Sequence, residues 1–169
     1  MSVKKYYKIA KYLLFPICRS ITGKGLKKTL KIIQGEFPKL KIYRVRSGTK
    51  AFDWKVPSEW NVNDAYVLDK NNKKIINFKE NNLHLVSYSI PINKFLTKEK
   101  LFENLYSLPS KLNAIPYVTS YYKKRWGFCL THKKKLQIYK KYNSKDKFKV
   151  IINSTLNPKG HLNYGELIL

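Results

Sequence analysis

The sequence predicts an α+β fold. Apolar residues recur at helical spacing over the first 37 or so positions, and after Pro38 the pattern changes to the alternation of half-buried strands. A length of 169 residues with 43% hydrophobic content suits one domain, or one domain with a small annex. A chain of this size buries about two-thirds of its unfolded surface, enough for a core without staples.

Tyr6, Ile9, Leu13 and Ile17 lie on one helical face, with Lys4, Lys5, Lys8 and Lys11 opposite. Pro16 removes a backbone donor, so this helix should end near Leu14 or Phe15. A second helix is expected from a Thr22 N-cap to about Gln34, burying Leu26, Leu30, Ile33 and Phe37, with Gly35 as its stop. Residues 40–45 alternate as a strand. Strands at 65–68 and 74–78 flank the turn Asp69-Lys-Asn-Asn-Lys73. Another strand is expected at 83–90, ended by Pro91. Thr97 caps a short helix that turns Leu101, Phe102 and Leu105 inward. Residues 108–119 read as irregular, and Thr131 to Tyr142 as a basic helix. Residues 148–153 and 162–169 read as a hairpin around Asn157-Pro-Lys-Gly160. Leu169 closes an apolar strand without a cap or polar tail, which reads as the N-terminal part of something longer.

The charge is +25, from 35 Lys and Arg against 10 Asp and Glu, yet only Arg19, Arg44, Arg46 and Arg125 are arginines. Sites that read nucleic acid or grip phosphate bidentately favour Arg. Lys, Asn, Ile and Tyr share A/T-rich codons, so genome composition is one source of the excess. Aromatic-flanked basic clusters, Lys123-Lys-Arg-Trp126 and Lys133-Lys-Lys135, are the features that suit nucleic acid. The even spread of Lys and the absence of a nucleic-acid motif weigh against that partner. No stretch of about 20 apolar residues is present, so no membrane is expected as partner. Lys8 and Lys11 interrupt the apolar run that a signal peptide needs. With two cysteines and no framework for disulfides, a reduced, cytoplasmic setting is expected.

His84, His132 and His161 are scattered in sequence, and no His-Glu-x-x-His, phosphate loop or nucleophile elbow occurs. Cys129 lies near His132 and Arg125, which would suit a thiolate nucleophile; a buried structural thiol between Phe128 and Leu130 is the plainer reading. The densest polar-aromatic stretch runs from Ile115 to Leu130. Tyr117, Tyr121, Tyr122 and Trp126 supply flat surfaces, Arg125 a bidentate clamp for carboxylate or phosphate, and Gly127 a close backbone approach. Such a loop either lines a ligand cleft or plugs the sheet with aromatics.

Leu14-Phe-Pro-Ile-Cys-Arg-Ser-Ile-Thr-Gly23, Ser47-Gly-Thr49, Phe52-Asp-Trp-Lys-Val-Pro57, Glu59-Trp-Asn61, Asp64-Ala-Tyr66 and Tyr117-Val-Thr-Ser-Tyr-Tyr-Lys-Lys-Arg-Trp-Gly-Phe-Cys129 together resemble a bacterial family of aminopeptidase-like proteins. Its members are often described only as domains of unknown function and are similar to dizinc exopeptidases. The resemblance covers essentially the whole chain. One departure is Arg46, where the family pattern has Pro before Ser-Gly-Thr.

The resemblance implies residues 1–37 as N-terminal helices of an incomplete α/β zinc-aminopeptidase-like domain, residues 38–130 as an inserted β-rich domain, and residues 131–169 as the return into the first. It implies a peptide or small amino-acid-like substrate and zinc for the intact protein, with no cofactor and no catalytic or metal-binding residue in this chain. Tyr121, Tyr122, Arg125 and Trp126 are the substrate-cleft candidates, Arg125 as a carboxylate clamp and the aromatics as walls. Two readings follow: part of a zinc aminopeptidase-like hydrolase, inactive alone, or a non-catalytic binding module with a basic surface for nucleic acid or an acidic ligand. A homo-oligomer is compatible with either. An incomplete domain should expose Leu167, Ile168 and Leu169, and leave Leu13, Leu26, Leu30 and Ile33 short of burial partners. Residues 38–130 should then behave better alone.

Overall fold

A computed structural model describes residues 3–168. The fold is α+β, and the chain packs as two compact units: residues 1–61 with 156–169, and residues 62–155. The second unit is therefore inserted in the sequence of the first. Its ends lie at 61/62 and 155/156, not at the helix-to-strand change near 37 or the turn near 130.

In the first unit α1 (Val3–Lys8) runs on without a break as a π-helical stretch, Ile9–Leu14, with the Phe15 amide bonded to the Ala10 carbonyl. Pro16 follows, where the missing donor was expected to end the helix. No residue of Val3–Leu14 is buried. Tyr6 stacks on Phe37 at 6.0 Å, and Lys5 pairs with Glu36. The second helix, α2 (Gly23–Glu36), starts where it was expected but runs through Gly35, the expected stop, to a Phe37 C-cap whose amide bonds the Ile33 carbonyl. Its apolar stripe is less covered than expected: Leu26, Leu30 and Ile33 are half-buried and Phe37 is exposed.

Strand β1 (Lys41–Arg46) pairs antiparallel with β10 (His161–Glu166), Lys41 opposite Glu166 and Arg46 opposite His161. This corrects the expected hairpin between 148–153 and 162–169. The turn at Asn157–Gly160 forms, but the strands it joins pair with different partners. Next in sequence after β1 comes a small hairpin, β2 (Lys50–Ala51) against β3 (Trp54–Lys55), with Phe52 at φ +56° on its tip. The expected apolar exposure is present at Leu13 and Ile168, while Leu167 is half-buried. Leu169, Met1 and Ser2 lie outside the described residues.

The second unit is built on a four-stranded sheet in the order β5 (Lys74–Asn77), β4 (Glu59–Leu68), β9 (Lys147–Asn157), β6 (Ile92–Thr97). Strand β9 is central and turns Phe148, Val150, Ile152 and Ser154 inward. A segment 38–130 would lack this strand, most of which lies within 62–155. The Asp69–Lys73 turn joins β4 to β5 as expected. Helix α3 (Lys98–Phe102) is capped by Thr97, and α4 (His132–Lys141) by Thr131, each hydroxyl accepting from an amide three residues on.

The expected strand 83–90 does not form. Tyr88 sits at φ +65°, which interrupts extended backbone, and this stretch makes only single bridges, Leu85 to Phe128 and Ser87 to Thr119. Its buried Ser89 hydroxyl donates to the Val86 carbonyl, and Ser154 donates to the Ser89 carbonyl.

Candidate functional site

The aromatic-basic loop lies between two short parallel strands, β7 (Leu105–Tyr106) and β8 (Phe128–Cys129), paired Leu105 to Phe128 and Tyr106 to Cys129. Its limbs grip the irregular 85–90 stretch: Val86 donates to the Gly127 carbonyl, Ser87 to Val118 and Ile90 to Arg125. Ser120 Oγ closes the tip onto the Lys123 carbonyl at 2.6 Å. Arg125 Nη2 reaches across to the Thr119 carbonyl at 2.6 Å, and the guanidinium lies 6.0 Å from the Tyr106 ring. Its Nε and the Thr119 hydroxyl are buried without a protein partner.

The four cleft candidates thus share one loop but differ in accessibility. Tyr122 is exposed, and its ring meets Tyr121 edge-on at 5.2 Å. Tyr121 is half-buried and meets the buried Tyr88 edge-on at 5.5 Å. Arg125 is half-buried and already uses one nitrogen to hold the loop closed. Trp126 is buried, with Lys94 Nζ 5.7 Å from its ring. Gly127 meets other parts of the same unit closely. A Cβ there would come within 2.6 Å of the Tyr106 ring and 2.8 Å of the Asn104 carbonyl. The close approach read from sequence is internal packing.

Cys129 is fully buried, and burial pushes its thiol up to about 11, so it packs as a small apolar residue and not as a thiolate. Two of the three histidines scattered in sequence have ring nitrogens engaged in space. His84 Nδ1 lies 2.8 Å from the Cys129 carbonyl. His132 Nδ1 lies 2.9 Å from Ser107 Oγ, joining the exit of β7 to the start of α4. Lys135 Nζ donates to the Leu105 carbonyl at 2.6 Å, and burial lowers its pKa. The Ser107–His132 pair is 25 positions apart and carries no local sequence signal. Among the described residues no three His, Cys, Asp or Glu side chains group to hold a metal ion, so these residues do not fit a zinc centre. No helix among them is long and apolar enough to cross a membrane.

Several motifs that carry the resemblance meet in the first unit. The Thr22 hydroxyl accepts from the Trp60 amide at 3.0 Å instead of capping its own helix, and Asn61 Oδ1 accepts from the Lys24 amide at 2.8 Å in its place. Glu59 accepts from the His161 amide at 3.0 Å and from Asn61 Nδ2 at 3.3 Å. Burial alone would raise the Glu59 pKa; these bonds and the Lys27 charge bring it below the ordinary value. Gly23 is at φ +88°, and a Cβ there would lie 2.1 Å from the Trp60 carbonyl. At Gly25 and Gly160 a Cβ would collide with Cys18 and Glu59. Thr-Gly and Glu-Trp-Asn therefore form a fold clasp.

The geometry has relatives. A curated protein of Clostridium acetobutylicum, named "Putative polysaccharide biosynthesis protein with aminopeptidase-like domain", is 50% identical over 153 residues, covering 90% of this chain and 34% of that protein. A crystal structure described as a putative peptidase from the same organism is similar at 48% identity with a TM-score of 0.87, over 97% of this chain and 37% of the peptidase chain. The chain therefore spans about a third of the length of these relatives. Residues 59–155, more than half of the chain, match the family described as "Domain of unknown function (DUF2172)", and the chain belongs to that family.

Proposed function

We propose that this chain is the N-terminal part of an aminopeptidase-like hydrolase and that its inserted unit borders the substrate cleft. The observation that carries the reading is the close likeness, over 97% of this chain, to about a third of a chain described as a peptidase. The remaining residues of such a protein would carry the hydrolytic chemistry. Zinc is what the family resemblance implies for the whole; no step is assigned to it through the residues of this chain. The inserted unit would contribute the rim of the cleft. Tyr122 stands at the surface of the loop, Tyr121 backs it, and Arg125 fixes the loop through Thr119 while its guanidinium suits a substrate carboxylate. Trp126, being buried, would support the rim from beneath.

The test is Arg125→Ala in the longer protein, assayed with aminoacyl-nitroanilides beside a thermal melt, with the 169-residue chain plus zinc as the control arm. The reading expects no turnover by the control. It expects at least a tenfold loss in kcat/KM, about 1.4 kcal/mol, with Tm little changed. A lower Tm with kcat/KM intact would make Arg125 a fold element only, and turnover by the short chain would remove the division of labour altogether.

A further inference from the structure

Helix α2 carries a charge arrangement that the fold uses only in part, through Lys27 beside Glu59. Lys24, Lys27, Lys28 and Lys31 follow one another at i, i+3, i+4 and i+7, so they share roughly a third of the helix circumference over about 10 Å of its length. With Ile32 they line a shallow depression that is wide open to solvent. Like charges at these spacings oppose the helix. The first turn holds no acidic residue, and Lys24 stands where the helix macrodipole favours an anion. Glu36, at the far end, is paired with Lys5. Glu59 lies 3.9 Å from Lys27, but its carboxylate already accepts the His161 amide and Asn61. Codon bias towards A and T enriches Lys, and amphipathicity puts it on the face opposite Leu26, Leu30 and Ile33; neither places four lysines there with no acid between them in the helix. Places where several local rules are broken together are candidates for function.

We propose that this face binds an oligophosphate: two or more linked phosphate groups laid along Lys24, Lys28 and Lys31, with Lys27 beside them and Ile32 as the apolar end for whatever the phosphates are attached to. Four compact ammonium charges on mobile stems suit closely spaced, multiply charged oxygens approached from several directions. A single planar carboxylate would instead call for the Arg fork, which is absent here. The site is independent of the proposed hydrolase reading and of the loop in the inserted unit.

The test is calorimetric titration of the 169-residue protein with sodium tripolyphosphate at about 0.15 M salt, where exposed charges more than about 8 Å apart are screened. Sulfate is the single-anion control, and a nucleoside diphosphate against pyrophosphate shows whether the phosphates arrive free or attached. Saturable 1:1 binding is expected, at least tenfold tighter for tripolyphosphate than for sulfate. The triple substitution Lys24→Gln, Lys28→Gln, Lys31→Gln should weaken it by about tenfold or more. The same charge change on α4, Lys133→Gln, Lys134→Gln, Lys140→Gln, should alter it by less than about twofold. Equal loss in the two variants, or no saturation, would overturn the site and leave diffuse electrostatics. Tighter binding of a single-stranded oligonucleotide that survives the α2 substitutions would overturn it in favour of nucleic acid. Should the α2 variant not fold, lysine acetylation of the unaltered protein asks the same question: tripolyphosphate must protect Lys24, Lys28 and Lys31 over Lys133 and Lys134, and protection without that selectivity overturns the proposal.

Discussion

The two units carry similar charge and very different cores. Sixteen basic and four acidic residues fall in 1–61 with 156–169, nineteen and six in 62–155. Yet of the twenty buried hydrophobic side chains among the described residues, Leu40, Val56 and Trp60 belong to the first unit and seventeen to the second. The inserted unit closes around Phe128, Phe148, Leu101 and Val150, none of them measurably exposed. The first is tied by polar clasps and close glycine contacts, and exposes Tyr7, Tyr12, Leu13 and Phe15. Burial of apolar area is the main favourable term in folding, so the inserted unit carries most of its own stability and the first unit little.

Three substitutions test that contrast. The largest effect is expected at Phe148, central in β9 and fully buried. Phe148→Ala should cost about 3–5 kcal/mol in chemical denaturation, whereas Leu30→Ala on half-buried α2 should cost much less. Equal costs would erase the distinction. Next is Gly23→Ala, where a positive φ and the nearby Trp60 carbonyl act together. A loss of roughly 2–3 kcal/mol is expected, read as early hydrogen exchange of α2 while the amides of β9 stay protected. Loss of protection in both units would show that the clasp supports more than its own unit.

The smallest effect concerns Asp69. Burial pushes its carboxyl up, but the Lys73 amide, the Tyr142 hydroxyl at 2.8 Å and the Asn71 amide outweigh this and hold its pKa below the ordinary value. The folded unit therefore favours the carboxylate, and stability present near neutral pH should be lost as pH falls below about 4 through the lowered pKa. Tyr142 has the opposite sign: burial first, then Asp69, raise its hydroxyl to about 12. Its contribution is complete below about pH 10 and is lost as pH rises towards 12. Tyr142→Phe should cost roughly 1.5 kcal/mol at pH 7 and flatten the alkaline limb of the Tm profile. An unchanged alkaline limb would exclude this pair as its cause.

The legible parts of the fold were those whose signals are local. Thr97 and Thr131 mark their helix starts because the capping hydroxyl and its amide are three residues apart. The Asp69–Lys73 turn is legible because one carboxylate bonds amides two and four positions on. What was missed depends on distant partners. Thr22 reads as a cap, but the Trp60 amide, 38 positions away, takes its hydroxyl. β10 reads as the second arm of a hairpin until β1 is seen to claim it. The 83–90 stretch has the composition of a strand and loses that form at Tyr88. Residues 115–130 read as one aromatic-basic loop from composition, but composition does not distinguish an exposed Tyr122 from a buried Trp126.

The β1–β10 pairing also sets a timetable. Lys41 meets Glu166 and Arg46 meets His161, partners separated by 125 and 115 positions. At a synthesis rate of roughly 5–20 residues per second, β1 leaves the ribosome about 6–25 s before the strand it needs. The inserted unit ends at residue 155 and can close first. During that interval the lysine-rich helices of the nascent chain have no finished sheet to lie on. Their like charges, which add little to the folded core, repel those of other unfinished chains during that interval.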